Sequence, residues 1–186
     1  MNAQPARNWD GVAAIIAALV GLLALCVSAY TAHVQRQQAK AQVWTQLIFA
    51  NSDTDRTLMV MNKGVGPARL QSLRVYADGK AQPDWDHVFD ALGIKSETAS
   101  TVQSTLNGIV VAANERVDFL KFNNADEWSR FRAQGKRVQL RACYCSVLDE
   151  CVVFDERVAR AVRGAVSSRT TAVDRCERDD AEEFNQ

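Results

Sequence analysis

The segment that divides this chain is Val12-Ala-Ala-Ile-Ile-Ala-Ala-Leu-Val-Gly-Leu-Leu-Ala-Leu-Cys-Val-Ser-Ala-Tyr30. It contains 19 residues and no charged side chain. A helix of this length spans about 28 Å, close to the ~30 Å hydrocarbon core of a bilayer. Trp9 and Tyr30 stand at its two ends, where aromatic side chains favour the headgroup layer. We therefore predict one transmembrane helix, in contact with the lipid bilayer.

A cleaved secretory signal peptide is the alternative for this segment. Val27-Ser28-Ala29 has the small residues of a cleavage site. The region before Val12, however, carries only Arg7, which Asp10 offsets. Residues 31–42 are polar, free of helix breakers and rich in helix formers, so they extend the helix. The sequence favours an uncleaved anchor over residues 12–42, after a short tail over residues 1–11.

The cysteines indicate the side of the membrane. The flanking positive charges, Arg7 on one side and Arg36 with Lys40 on the other, give only a weak bias. Outside the span the chain carries an even number of cysteines, which suits an oxidising compartment. These are Cys143, Cys145, Cys151 and Cys176. We predict a single-pass protein whose domain lies outside the cytoplasm.

Composition limits the function of the remaining chain. The 186 residues include 22 basic and 22 acidic side chains. A nucleic-acid-binding surface needs an excess of basic residues, so we expect no nucleic-acid partner. Residues 43–155 are long enough to form one domain with its own core. Residues 156–186 are highly charged and are predicted to form a flexible tail.

Short apolar or alternating segments separated by turns predict an all-antiparallel architecture. Two short helices, over residues 83–92 and after Asn124, interrupt the strands. The serine- and threonine-rich residues 95–107 are predicted to form a loop. This order favours a mainly β fold of the α+β type, an immunoglobulin-like antiparallel β-sandwich with two short helical insertions. The predicted strands cover residues 43–50, 57–62, 68–77, 108–112, 116–122, 137–147 and 151–154.

Two turns stand out between these strands. Asp78-Gly79 predicts a type I′ hairpin, because this turn needs positive φ at both central residues. Gly64, Gly66 and Pro67 predict a tight bend that depends on glycine backbone freedom. The glycines do not form a phosphate-binding loop, since that motif requires GxxxxGK[ST].

The strand that ends in two cysteines carries the most specific pattern. Alternation places Cys143 and Cys145 on one face of the strand, and Val138, Leu140, Ala142 and Tyr144 on the other, which is predicted to face the core. A three-residue turn would place Cys145 opposite Cys151, within disulfide reach. A two-residue turn would instead place Cys145 opposite Val152. We favour Cys145–Cys151 with Cys143–Cys176, although four cysteines allow three pairings.

Two chemical roles for these thiols are weaker than structural disulfides. Four sulfurs with His87 are a possible zinc site, but C-x-C on a strand is not the C-x₂-C knuckle of zinc proteins. A redox role would gain from Arg141 on the same strand face, since a positive charge favours a thiolate. The sequence lacks a C-x-x-C motif. We therefore predict that the cysteines form structural disulfides.

Hydrolytic chemistry has few candidates. The histidines are His33, beside the membrane segment, and His87, in an acidic helix. No G-x-S-x-G motif supports a serine nucleophile. Trp85 and Trp128 are predicted to be core residues. We predict no catalytic site and no cofactor. The set that a hydrolase would draw on is Asp84, Asp86, Asp90, Ser100 and Ser104.

Several of these segments together resemble a known family. Asn62-Lys-Gly-Val-Gly-Pro-Ala68 and Cys143-Tyr-Cys-Ser-Val-Leu-Asp-Glu-Cys151 are similar to motifs of small bacterial membrane-anchored proteins of unknown function. The likeness covers about residues 10–155. Members usually carry Gly where Asp149 stands and Trp where Val152 stands. The resemblance implies an envelope protein of a Gram-negative bacterium with an N-terminal helix and a β-rich domain, and it implies no activity.

The expected function is a module anchored in the bacterial inner membrane. Its domain would face the periplasm and bind a protein partner, a second copy of itself or an envelope component. A thiol redox protein or another envelope enzyme is the alternative. A regulatory domain that faces the cytoplasm is a third possibility, and it would require all four cysteines to be reduced.

Overall fold

The computed structural model describes residues 9–94, 101–158 and 169–185. The chain divides into two compact units, Met1–Gln42 and Val43–Gln186. The boundary between them falls where the sequence places the start of the soluble domain.

The first unit contains one long helix, α1, Trp9–Gln42. Its apolar side chains are exposed all along the predicted span, from Val12 to Tyr30. Within the described residues, this is the one helix that is long and apolar enough to cross a membrane. The predicted transmembrane segment therefore lies on a continuous helix that extends through the polar residues to Gln42.

The second unit contains ten strands and two helices within the described residues. The helices are α2, Trp85–Leu92, and α3, Ala125–Ala133. The strands are β1 Leu47–Ser52, β2 Thr57–Asn62, β3 Ala68–Ala77, β4 Lys80–Gln82, β5 Thr101–Gln103, β6 Val110–Val111, β7 Arg116–Phe122, β8 Val138–Cys145, β9 Cys151–Asp155 and β10 Thr170–Val173.

These strands form two antiparallel sheets. The first has the order β1-β2-β7-β5, and the second has the order β10-β9-β8-β3-β4, with β6 paired to the start of β3. The chain thus has the mixed helix and antiparallel-strand architecture that the sequence predicts. Apolar residues from both sheets join one core cluster. Phe49 of β1 stacks on Phe154 of β9 at 5.0 Å between ring centroids, which places this core between the sheets.

Helix α3 begins directly after Asn124, as predicted, and α2 begins at Trp85, two residues after the predicted start. Asp84 accepts a hydrogen bond from the backbone N–H of His87, and Asn124 accepts one from that of Asp126. These side chains satisfy N–H groups that have no partner inside the helix. Gly93 ends α2 in the left-handed region, with φ of 70°. The buried face of α2 consists of the predicted residues Trp85, Val88, Phe89 and Leu92.

The Asp78-Gly79 hairpin has the predicted geometry. Asp78 has φ of 51° and Gly79 has φ of 78°, so both central residues take positive φ. The turn joins β3 to β4 directly, with Ala77 paired to Lys80.

The bend at Gly64 and Gly66 needs glycine for a different reason from the one predicted. The described glycines with positive φ are Gly79, Gly93 and Gly108. At Gly64 an added Cβ would lie 2.6 Å from the Cα of Thr45, and at Gly66 one would lie 2.6 Å from the carbonyl carbon of Val43. Close approach of another backbone segment, rather than left-handed φ, excludes a side chain here.

Two predictions about loops and tails require correction. Thr101–Gln103 is a strand paired to β7, not part of a loop. Residues 170–173 pair with β9, and residues further along pack on the domain, so the described part of the predicted flexible tail, residues 169–185, belongs to the fold. In the same segment the sequence also predicts a weak helix with Val158, Val162 and Val166 on one face, and Val162 and Val166 lie outside the described residues.

Candidate functional site

The hairpin of β8 and β9 sets the position of the cysteines. Ser146 donates its backbone N–H to the carbonyl of Glu150 at 2.9 Å, which closes a turn of three residues. Asp149 takes φ of 58° in this turn. Cys145 then lies opposite Cys151 in the register, and their sulfurs are bonded at 2.04 Å. Directly opposed residues outside a hydrogen-bonded pair have the shortest Cβ separation, which suits a cross-strand disulfide.

The second disulfide joins β8 to the C-terminal segment. Cys143 is bonded to Cys176, with sulfurs 2.03 Å apart. The two pairs coincide with the favoured pairing, and Cys26 on α1 is the free cysteine. The sulfur of Cys145 lies only 3.6 Å from that of Cys176, so the two disulfides touch. Cys143, Cys145 and Cys151 are buried, while Cys176 is partly exposed.

Residues 174–185 form what we call the C-terminal strap, which crosses the second sheet. It leaves β10 at one edge and is bonded to β8 through Cys176. Over β3, Arg74 pairs with Glu182 at 2.8 Å and with Glu183 at 3.7 Å. Glu183 is itself buried and accepts a 2.5 Å hydrogen bond from Ser72. The strap thus covers the face of β8 that strand alternation places opposite the predicted core, together with the neighbouring part of β3.

The strap ends in the core. The backbone N–H of Phe184 donates to the carbonyl of Leu73 at 2.9 Å, and the Asn107 amide donates to the carbonyl of Phe184 at 2.6 Å. The ring of Phe184 is 1% exposed and meets Trp85 edge-on, 5.0 Å between centroids. A disulfide near one end and a buried aromatic ring at the other therefore hold the strap to the sheet.

The sulfur cluster does not provide a thiolate site for zinc in this arrangement. Zinc is bound by thiolates, whereas these four sulfurs are bonded to one another in pairs. His87 lies instead in the cap of α2, paired with Asp84 at 2.7 Å. That hydrogen bond raises the pKa of His87 above its ordinary value.

The serine–histidine hypothesis gains no support from the geometry. His87 is exposed, and the partner that its ring contacts, Asp84, is already engaged as the helix cap. Ser104 donates its backbone N–H to the carbonyl of Phe119. Ser100 lies outside the described residues. Trp85 and Trp128 are buried in the core, as predicted.

A cleft of about 170 Å³ opens beside the core. Its lining residues come from strands of both sheets and from α3. Apolar side chains form its wall, and polar side chains form its rim. The wall consists of Phe49, Ala50, Leu58, Phe119, Phe131, Gly135, Val138 and Leu140, and the rim of Asn51, Arg132 and Glu156.

The two charges on the rim are held in different ways. Arg132 donates to Asp53 at 2.9 Å and stacks on Trp128, and its two terminal nitrogens face the Asn51 amide oxygen at 2.8 and 2.9 Å. Glu156 accepts the backbone N–H of Leu140 at 3.0 Å. Burial raises the pKa of Glu156 and outweighs that hydrogen bond, which lowers it. The cleft is therefore apolar inside, with a fixed cation at its mouth.

Comparison of the chain with models of known families, with curated proteins and with solved structures finds no match.

The strap and the cleft were both missed by sequence reasoning. One signal for the strap was present: Phe184 is an isolated aromatic residue in a highly charged segment. The cleft has no local signal, because its wall comes from residues between 49 and 140.

Proposed function

We propose that this protein is a single-pass module of the bacterial inner membrane that holds a β-rich binding domain in the periplasm. The observation that carries the proposal is the pairing of an exposed, apolar helix with a compact two-sheet domain that begins at Val43. Two disulfides support the periplasmic side, because cytosolic thiols are kept reduced. We also propose that the two sheets belong to the immunoglobulin-like sandwich class.

The apolar cleft is the proposed contact site for a protein partner. Apolar pockets with a few placed polar groups are the usual form of a binding site. A cleft of about 170 Å³ suits one large apolar side chain rather than a drug-sized molecule. Arg132 at the mouth would then meet an acidic or carbonyl group of the same partner.

A photo-crosslinking amino acid at Asn51, on the cleft rim, tests this function in intact cells. Val65 provides the control position, because it is 62% exposed and does not line the cleft. We expect a protein adduct of one defined mass from Asn51 and none from Val65. An Ala50→Phe substitution, which fills the cleft, should abolish that adduct. Equal labelling from both positions, or an adduct that persists in the filled variant, would contradict the proposal.

Thiol redox chemistry is the second candidate, and one observation favours it. The two disulfides lie in contact at 3.6 Å between Cys145 and Cys176, closer than two independent structural bonds require. A domain that faces the cytoplasm is the third candidate, and reduced cysteines in the cell would support it.

A further inference from the structure

The two disulfides are not separate from each other, because their sulfurs form one cluster. The sulfurs of Cys145, Cys151 and Cys176 all lie within 4.8 Å of one another. Cys143 and Cys145 stand two residues apart on β8 and so face the same side of the sheet. Cys176 therefore has two neighbouring cysteines on one strand, one bonded to it and one 3.6 Å away.

Access to the four sulfurs is unequal. Cys145 is 1% exposed and Cys151 6% exposed, so an external thiol does not reach the hairpin disulfide directly. Cys176 is partly exposed and lines an open depression together with residues 175 and 177–181. Because thiol–disulfide exchange needs contact between the attacking sulfur and the disulfide, attack from outside begins at Cys176.

We propose that this cluster is a thiol–disulfide exchange site in which Cys176 receives electrons from an external dithiol and transfers them to the hairpin disulfide of Cys145 and Cys151. It develops the second candidate above, thiol redox chemistry, and does not depend on the binding function or on the cleft. The substrate class is a dithiol, either a small molecule or a protein with two adjacent thiols.

The first step reduces the outer bond. One thiolate of the dithiol attacks the sulfur of Cys176, forms a mixed disulfide and releases Cys143 as a thiolate, which takes a proton from water. The second thiol of the reagent then attacks the mixed disulfide. The reagent leaves as a disulfide, having lost two electrons, and Cys176 is left as a thiolate.

The second step moves the reduction inward. The thiolate of Cys176 attacks the sulfur of Cys145, a Cys145–Cys176 bond forms, and the Cys145–Cys151 bond breaks. Cys151 leaves with the electron pair and is protonated. This step is an isomerisation that needs no further reductant, and it requires little movement because the two sulfurs are already in contact.

The exchange changes the hairpin while keeping the strap attached. After transfer, Cys176 is still bonded to β8, now at Cys145. The turn between β8 and β9 has lost its cross-strand bond, and this turn carries Val147 and Leu148, which are 47% and 48% exposed. Reduction at an accessible sulfur thus loosens an apolar turn that was closed by a buried bond.

Two variants of the full chain test the transfer without any reductant. Each lacks one cysteine of the cluster, and both also carry Cys26→Ala. Cys143→Ser leaves Cys176 free beside the intact hairpin bond, and we expect Cys145–Cys176 to form with Cys151 as the free thiol. Cys176→Ser leaves Cys143 free, and we expect the Cys145–Cys151 bond to remain. Alkylation followed by peptide mapping reads the result, since cleavage after Tyr144 separates Cys143 from Cys145 and cleavage after Glu150 separates Cys145 from Cys151.

Partial reduction of the Cys26→Ala chain, which keeps all four domain cysteines, by dithiothreitol, stopped with acid, covers the case in which a variant does not fold. We expect the main two-thiol species to carry alkylated Cys143 and Cys151. A main species with alkylated Cys143 and Cys176 would overturn the proposal, as would an unchanged Cys145–Cys151 bond in folded Cys143→Ser. Equal scrambling in both variants would also overturn it, because exchange would then not be specific to Cys176.

Discussion

Two helices of this protein contain similar apolar residues in opposite surroundings. In α2 the apolar residues occupy one face and are buried, with Trp85 and Val88 both 0% exposed. In α1 they surround the helix, and Leu23 is 65% exposed. The domain covers the one apolar face of α2, whereas a helix that is apolar all round requires an apolar environment on every side, which a bilayer would provide for α1. The difference is the one expected between a helix of a soluble core and a helix that spans a membrane.

The largest expected effect comes from charges placed in α1. Leu19→Arg together with Leu23→Arg puts two guanidinium groups in the middle of the span, at a cost of about 6 kcal/mol for insertion. We expect the protein to move from the membrane pellet to the soluble fraction after cell fractionation and carbonate extraction.

The matched control is Leu19→Ile with Leu23→Ile, which keeps the apolar surface and should remain in the pellet. If the arginine variant also stays in the pellet after carbonate extraction, the span does not hold the protein in the membrane. The exposed apolar surface of α1 would then need an explanation other than contact with lipid.

A second test removes an aromatic ring that the domain buries. Phe184→Ala should lower the free energy of unfolding by about 4 kcal/mol, since it deletes a fully buried ring packed on Trp85. Phe184→Leu should cost less than half as much. Urea unfolding followed by tryptophan fluorescence measures both variants, and an unchanged midpoint for Phe184→Ala would show that the strap end does not contribute to the core.

Matched glycine substitutions compare the two units directly. Gly66→Ala should destabilise the domain by about 3 kcal/mol, because its Cβ has no room beside Val43. Gly21→Ala on α1 meets nothing within 4 Å and should leave unfolding of the domain unchanged. Thermal unfolding of the detergent-solubilised protein distinguishes them, and equal melting temperatures would refute the close approach at Gly66.

The smallest effect concerns a charge that the domain partly buries. Burial raises the pKa of Glu156 in the folded state, so ionisation costs the folded state more than the unfolded state. The resulting stability is present below the ordinary value of 4.5 and is lost as pH rises through the folded pKa. Glu156→Gln should remove this loss and stabilise the domain at pH 8 by up to about 1 kcal/mol.

Urea midpoints at pH 4.5 and pH 8 for both chains test the Glu156 prediction. The difference between variant and parent should be small at the lower pH and should favour the variant at the higher pH. The opposite trend would indicate that attraction to Arg169 at 3.5 Å outweighs burial.

Features set by nearby residues were predicted from the sequence. The Asp78-Gly79 hairpin, the cap at Asn124, and the opposition of Cys145 to Cys151 each depend on a few adjacent positions. The length and composition of α1 likewise depend on one segment alone. In all of these the local preference and the tertiary structure agree, so the pattern can be read without the fold.

Features set by distant segments were not predicted from the sequence. Alternation placed Cys143 and Cys145 on the face opposite the core, but it does not show that residues 174–185 cover that face. The role of Gly64 and Gly66 depends on the approach of residues 43–45, which no property of the bend reveals. The cleft needs both sheets and α3 in place. Long-range packing decided each of these, and Phe184, which fixes the strap, stands alone among charged residues.

The most direct test of the account is thiol labelling in intact cells with a membrane-impermeant maleimide, before and after reduction, with mass mapping of the four domain cysteines. We predict labelling of Cys143, Cys145, Cys151 and Cys176 only after reduction, which requires a domain outside the cytoplasm with its cysteines paired. Labelling that appears only after lysis and without reduction would place the domain in the cytoplasm and contradict both its side of the membrane and its disulfides.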